Sequence, residues 1–176
     1  MDSAEYERKT AARFASFDQD GNGYIDREDF SAAAAAILAE FNTTARCDKG
    51  QALYSGAEAF WQGMAGIADV DGDQRVTRDE FVTGAVKRLR DNPKRFAEIA
   101  RPFLHAAIDI AASSDGEGDG VTVAAATRLL RVLGADTQVA EQVAGALDSD
   151  NDGRITEDET LQAFALYYTV DGPDPQ

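Results

Sequence analysis

Oxygen-bearing side chains recur at every second position in three segments of the chain, and in each segment an acidic residue follows seven positions later. The last segment is the clearest, because Asp148, Asp150 and Asp152 precede Gly153, and Glu159 closes a stretch of twelve residues. A hard cation such as Ca²⁺ takes about 6–8 oxygen ligands at roughly 2.3–2.6 Å, and alternate residues of a tight loop point inward. This spacing therefore predicts sites for divalent cations.

The last segment fills every ligand position of such a loop. Positions 1, 3 and 5 bind through side chains, position 7 through its backbone carbonyl, position 9 often through water, and position 12 through both carboxylate oxygens. We number the loops one to four along the chain and count a degenerate third segment among them. The predicted ligands of the fourth loop are Asp148, Asp150, Asp152, Arg154, Thr156 and Glu159.

The first loop follows the same pattern but closes with Asp29 instead of a glutamate. Aspartate is one methylene shorter, which makes bidentate coordination of a large ion harder. A smaller octahedral ion that keeps its waters, such as Mg²⁺, then competes better, so we expect Mg²⁺ as well as Ca²⁺ at this site. The predicted ligands are Asp18, Asp20, Asn22, Tyr24, Asp26 and Asp29.

The second loop departs from the pattern at position 6, where Gln74 replaces glycine. A left-handed backbone at a residue with a side chain costs on the order of 1 kcal/mol. The acidic residues gain more than this from a dication, so we expect the loop to bind. The predicted ligands are Asp69, Asp71, Asp73, Arg75, Thr77 and Glu80.

The third segment, at about residues 112–125, is predicted to be inactive. In one register Asp115, Glu117 and Asp119 take positions 1, 3 and 5. In the other register Val121 takes the apolar position 8, and serine and glycines take positions 1, 3 and 5. Neither register places an acid at position 12, so this loop is expected to serve only for pairing.

Helical periodicity surrounds each of these segments, which predicts an all-α protein built from helix–loop–helix units. Asp91, Asn92 and Pro93 interrupt the pattern and stop the preceding helix, since proline disfavours a helical residue before it. We therefore expect two lobes, over residues 1–91 and 92–176, packed into one compact unit. The predicted helices cover residues 3–17, 26–41, 52–68, 78–89, 96–111, 122–133, 137–147 and 157–168.

The repeated loops identify an EF-hand pattern, and residues 6–168 resemble calerythrin and the sarcoplasmic calcium-binding proteins. This resemblance implies four EF-hands in two pairs, about three bound Ca²⁺ ions and the ligand sets given above. EF-hands work in pairs, with the branched residue at position 8 of each loop forming a short β-bridge to its partner. We therefore expect Ile25 to pair with Val76, and Val121 with Ile155.

Composition excludes several other classes of function. The chain has 32 acidic and 17 basic residues and a formal net charge of −15, which disfavours nucleic acid and anionic membranes as partners. One cysteine allows no intramolecular disulfide, and no apolar run approaches the ~18 residues of a membrane span. The acidic residues 1–7 do not resemble a signal peptide. We expect a cytoplasmic protein without enzymatic activity, since no nucleophile–base set, phosphate loop or zinc spacing is visible.

Two functions remain open at this point, a calcium buffer and a calcium sensor. A sensor opens a groove for a target helix, often one rich in methionine, whereas a buffer barely opens. The chain contains two methionines, and Asp29 favours Mg²⁺ at rest, so we favour a buffer. The alternative is a sensor that exposes an apolar surface and regulates a partner. No protein target is evident, and we expect a monomer.

Overall fold

The computed structural model describes residues 3–86, 91–113 and 120–168. Within these ranges the chain forms eight helices and two short antiparallel sheets, as the sequence predicts. The helices are α1 (Ser3–Phe17), α2 (Arg27–Glu40), α3 (Asp48–Ala68), α4 (Arg78–Glu80, continued by a π-helical segment over Phe81–Val86), α5 (Pro93–Ser113), α6 (Val123–Val132), α7 (Thr137–Leu147) and α8 (Glu157–Tyr168). The strands are β1 (Tyr24–Ile25), β2 (Val76–Thr77), β3 (Val121–Thr122) and β4 (Arg154–Ile155).

The two sheets confirm the predicted pairing of the loops. Ile25 faces Val76 across β1 and β2, and Val121 faces Ile155 across β3 and β4. All four side chains are at most 1% exposed. Branched side chains fit a half-buried pleated surface, so each bridge joins two loops and contributes to the core.

The same bridge selects one register for the third loop. Because Val121 lies opposite Ile155, it occupies position 8, and position 12 falls on Ala125. The hydroxyl of Thr122 accepts the Ala125 backbone N–H at 3.1 Å, as a helix N-cap does. The alternative register, with Asp115, Glu117 and Asp119 at positions 1, 3 and 5, is wrong. Residues 114–119 themselves lie outside the described residues.

Helix α3 begins at Asp48, earlier than the periodicity predicts. Cys47 caps its first turn, because the Cys47 Sγ accepts the Gly50 backbone N–H at 3.4 Å. A β-carbon at Gly50 would lie 2.9 Å from the Ala45 Cα, so glycine allows the chain to turn tightly into the helix. The connector between α2 and α3 is therefore shorter than the gap between the predicted helices over 26–41 and 52–68. The predicted extension of α4 to residue 89 lies outside the described residues.

The N-terminal pair of hands encloses a cluster of aromatic rings. The ring of Phe17 lies 5.9 Å from Phe30, 5.6 Å from Phe60 and 5.9 Å from Phe81. Trp61 is fully buried and packs against Phe30 at 6.0 Å. Such ring pairs stabilise beyond their buried area, so this cluster holds together the helices that carry the first two loops.

Helices α3 and α5 pack against each other in antiparallel directions and join the two pairs of hands. Lys49 near the start of α3 lies 3.5 Å from Asp109 near the end of α5. Farther along, Gly56 contacts the α5 backbone, where a β-carbon would lie 2.7 Å from the Phe103 Cα. The rings of Phe60 and Phe103 meet edge to face at 6.2 Å. We call this surface the α3–α5 seam, and it closes the two pairs into one compact unit.

We predict that Gly56→Ala destabilises the protein, because the added methyl group overlaps the α5 backbone. Overpacking of this kind costs about 1–3 kcal/mol. Gly66→Ala is the matched control on the same helix, since its β-carbon meets no heavy atom within 4 Å. That control should gain about 0.5–1 kcal/mol from helix propensity. Urea unfolding of both variants measures the difference, and equal stabilities would contradict a close seam.

Candidate metal centres

The first loop gathers three carboxylates around one point. Oxygens of Asp18, Asp20 and Asp29 lie within 4.8 Å of one another. The loop is held in shape by its own first residue, since Asp18 accepts the backbone N–H of Asn22 at 3.1 Å and of Gly23 at 2.9 Å. The backbone therefore folds around the carboxylates and gives them the spacing that a hard cation requires.

The second loop gathers Asp69, Asp71 and Asp73 within 4.8 Å. Asp69 accepts the backbone N–H groups of Gly72 and Gln74, each at 3.0 Å, which matches the role of Asp18 in the first loop. Gln74 has φ +67°, so the left-handed conformation expected at position 6 is present at a residue that carries a side chain.

The fourth loop gathers Asp148, Asp150 and Glu159 within 4.8 Å. Asp148 accepts the backbone N–H of Asp152 at 3.1 Å and of Gly153 at 2.9 Å. The three loops thus share one local architecture, in which the aspartate at position 1 binds the backbone at positions 4 to 6.

Several predicted ligands lie in the loops but outside these tight clusters. Asp26, Thr77 and Thr156 each cap the helix that leaves their loop. Tyr24 and Arg154 lie in the short strands, and Arg75 directly precedes β2. The side chains of Asn22 and Asp152 accept the backbone N–H of position 7 at 2.9 and 2.8 Å. Glu80 lies at the end of the second loop, where it accepts the Val70 N–H at 3.3 Å.

The closing acid of each loop is fixed in place by the residue at position 9. Glu80 accepts the Thr77 backbone N–H at 2.9 Å, and Glu159 accepts that of Thr156 at 2.8 Å. The threonine hydroxyl in turn accepts the backbone N–H of the glutamate, which completes a capping box. The carboxylate is thereby positioned at the mouth of the loop by the helix that follows it.

The pKa values of the closing acids in the first and fourth loops are shifted in opposite directions. Burial raises the pKa of Asp29 to about 6, and its residue is only 1% exposed. Hydrogen bonds from the Thr156 backbone and the Ser149 hydroxyl lower the pKa of Glu159 to about 2. A proton therefore competes with a cation for Asp29 at a pH where Glu159 is fully ionised.

Two residues near the sites were not singled out from the sequence. Ser149, at position 2 of the fourth loop, donates its hydroxyl to Glu159 at 2.7 Å. Gln19, at position 2 of the first loop, donates its side-chain N–H to the backbone carbonyl of Leu133 at 3.3 Å. The serine could have been found from its place in the loop. The glutamine contact spans 114 residues and leaves no local signal.

His105 is the single histidine of the chain, and its place beside Phe103 and Leu104 on a mostly apolar helix predicts a core or boundary position. That prediction is wrong, because the side chain is 66% exposed. Its Nδ1 lies 2.6 Å from Glu157 Oε2, and Arg101 lies 3.8 Å from the same carboxylate. These contacts attach α5 to the start of α8. His105 thus contributes to the contact between α5 and α8 beside the fourth loop. Among the described residues it belongs to no cluster of metal-binding side chains.

The loops and the paired helix–loop–helix architecture define a calcium-binding protein of the EF-hand class, and comparisons with known proteins agree. A family profile described as an EF-hand domain pair matches residues 7–86, and one described as an EF hand matches residues 145–165. These matches cover the first, second and fourth loops. No curated protein matches the chain.

The chain belongs to the EF-hand family of calcium-binding proteins. A calcium-binding protein from Streptomyces coelicolor is 64% identical, with a TM-score of 0.91, over 95% of this chain and 99% of that one. Its structure is described as the basis for prokaryotic calcium-mediated regulation by that protein.

Two animal proteins share the fold at much lower identity. Calcium-loaded apo-aequorin from Aequorea victoria is 18% identical, with a TM-score of 0.72, over 99% of this chain and 96% of that one. The calcium-loaded coelenterazine-binding protein from Renilla muelleri is 22% identical, with a TM-score of 0.68, over 94% and 88% of the two chains. These likenesses concern the arrangement of the four hands.

We predict that calcium binding by the first loop is more sensitive to acid than binding by the fourth. Asp29 must lose its proton to bind an ion, so lowering the pH from 7.5 to 5.5 should weaken the first loop roughly fourfold through this group alone. In the metal-free protein Asp29 also makes the free energy of unfolding depend on pH. The stabilisation from the raised pKa of Asp29 is complete below its ordinary value of 3.8 and is lost as the pH rises through about 6.

Site-resolved titrations at the two pH values measure this difference. Glycine labelled with ¹⁵N reports on the first loop at Gly23 and on the fourth at Gly153, both at position 6. An equal loss of affinity in both loops would contradict the prediction.

We predict that Gln74→Gly stabilises the protein by about 1 kcal/mol, because glycine adopts the left-handed conformation without steric cost. Asn151→Gly is the matched control, since Asn151 has φ +57° and asparagine tolerates this region better. Thermal unfolding in calcium-free buffer measures both. A smaller gain for Gln74→Gly than for Asn151→Gly would show that position 6 of the second loop is not strained.

Proposed function

We propose that this chain is an intracellular calcium buffer of the calerythrin and sarcoplasmic calcium-binding protein type. Its first, second and fourth loops bind one Ca²⁺ each through the ligand sets predicted from the sequence, and the first loop also takes Mg²⁺. The third hand pairs with the fourth without binding an ion. The described helices include none long and apolar enough to cross a membrane.

The observation that carries the choice of a buffer is the α3–α5 seam. A sensor must separate helices to expose a groove when it binds calcium. Here the backbone of α5 lies directly on Gly56, and the Phe60 and Phe103 rings fill the space beside it. Opening this seam would expose buried rings from both pairs of hands, which is costly because each ring buries a large apolar area.

The chemistry of the closing acids supports a mixed Ca²⁺ and Mg²⁺ buffer. Glu80 and Glu159 have the reach for the bidentate coordination that Ca²⁺ prefers, whereas the shorter Asp29 suits an octahedral ion that keeps several waters. Asp29 is also the most buried of the three, at 1% exposure. A first loop filled by Mg²⁺ at rest exchanges ions slowly and damps calcium transients.

A second candidate function is calcium-dependent regulation of a partner protein. It is favoured by the 64% identity to the Streptomyces coelicolor protein, whose structure is described in terms of calcium-mediated regulation. The surface of α7 also exposes Val139 and Val143, one turn apart, at 45% and 39%. In a regulator, these two exposed side chains would form part of an apolar contact with the partner protein.

Calorimetric titration of the metal-free protein with calcium, with and without about millimolar Mg²⁺, separates these functions. For a buffer we expect three ions with dissociation constants near ~10⁻⁸ M that Mg²⁺ weakens. Constants near ~10⁻⁶ M that Mg²⁺ does not change, together with apolar dye binding on calcium addition, would indicate a regulator. Four ions would show that the third hand is active.

A reciprocal exchange of the closing acids tests the assignment within the same experiment. Asp29→Glu should remove most of the Mg²⁺ competition at the first loop, and Glu159→Asp should introduce it at the fourth. Identical Mg²⁺ effects in the wild type and in both variants would overturn the role given to position 12.

A further inference from the structure

Helix α6, which leaves the inactive third loop, contacts the first hand at two places. One is the metal-binding loop of that hand, and the other is the C-terminal end of α2. At the loop end, the Gln19 side chain donates to the Leu133 carbonyl, where α6 terminates, at 3.3 Å. At the far end, Arg128 of α6 binds Glu40, the last residue of α2. We call these contacts the α6 clamp and define it by Gln19, Glu40, Phe41, Arg128 and Leu133.

Arg128 makes three separate contacts in the clamp. Its Nε donates to the Glu40 carboxylate and its Nη2 to the Glu40 backbone carbonyl, both at 3.0 Å. The guanidinium also lies 4.5 Å from the centre of the Phe41 ring. An exposed ion pair alone contributes little, but a planar guanidinium held by two acceptors and a ring is fixed in orientation. The clamp therefore follows the end of α2 when that helix moves.

Helix α2 connects the clamp to the first metal centre. Asp29, the closing acid, lies in its first turn, and Glu40 lies at its last residue. A helix of this length is about 21 Å long and behaves as a rod, since its rise is about 1.5 Å per residue. An ion that draws in Asp29 would therefore move the opposite end of α2 as well. The same ion would act on Gln19, which lies between two predicted carboxylate ligands of the loop.

Helix α6 is connected to the fourth loop through the β3–β4 bridge. Strand β3 runs directly into α6, and Val121 faces Ile155 of the fourth loop with both side chains at most 1% exposed. Gly120 precedes β3 with φ +74°, and a β-carbon there would overlap the Ile155 carbonyl group. A displacement of α6 would thus reach the backbone beside Arg154, the predicted position 7 ligand.

We propose that the third hand, which binds no ion, is the coupling element between the first and fourth calcium sites. Filling the first loop orders the α6 clamp, and the clamp holds β3 and β4 in the geometry that strengthens calcium binding by the fourth loop. This inference rests on the proposed ligand sets of both loops. It gives the inactive hand a role beyond completing the core of its pair.

The test compares calcium titrations of the full-length protein with the first loop active or disabled by Asp18→Asn. The ¹⁵N signals of Gly23 and Gly153 report the two loops separately. With the clamp intact, disabling the first loop should weaken the fourth by about fivefold or more, which is a typical coupling between sites. In Arg128→Met, which keeps an apolar stem over Phe41, the same change should have less than about a twofold effect.

Gln19→Ala breaks the clamp at its other end and should give the same result, so it decides the question if Arg128→Met fails to fold. Lys49→Met is the matched control, because it removes a charged contact of the α3–α5 seam and leaves the clamp intact. Coupling should persist in this control. An unchanged coupling in both clamp variants, or none in the wild type, would overturn the proposal. If neither glycine signal responds to calcium, the ligand assignment itself fails.

Discussion

In each pair of loops, two branched side chains that face each other across a two-residue sheet are sealed from solvent. This contact is the constraint on which the other features depend. It holds the two loops of each pair side by side, and each strand leads into the helix that follows its loop. It also explains why a loop that lacks a closing acid is retained. Without Val121 as a partner, Ile155 would lie at the surface, and the fourth loop would lose the strand that holds its position 7 carbonyl.

The features that the sequence predicts well are those fixed by short-range geometry. The aspartate at position 1 binds backbone groups three to five residues away, so Asp18, Asp69 and Asp148 could be assigned from spacing alone. The bridge residues follow from the same count. The left-handed backbone of Gln74 was also expected, because the turn at position 6 requires it whatever residue is present.

The features that the sequence does not predict are contacts between distant segments or competition among local signals. The early start of α3 depends on a cysteine acting as a cap, which is rare among capping residues. The α3–α5 seam and the α6 clamp join residues that lie dozens of positions apart. The apolar periodicity of a helix shows which face is buried but does not identify the helix that packs against it. The register of the third loop stayed open because both alignments were locally acceptable, and only the strand across from it decides between them.

The capping boxes that hold the closing glutamates also bear on how quickly the sites fill. Each closing glutamate is held in one orientation by the threonine at position 9, so its side chain does not have to change rotamer when an ion arrives. The ordering cost has been met by folding, so association is limited by ion dehydration and diffusion instead. Loops with this device should then share similar association rates, and the time for which each retains its ion becomes the property that distinguishes them.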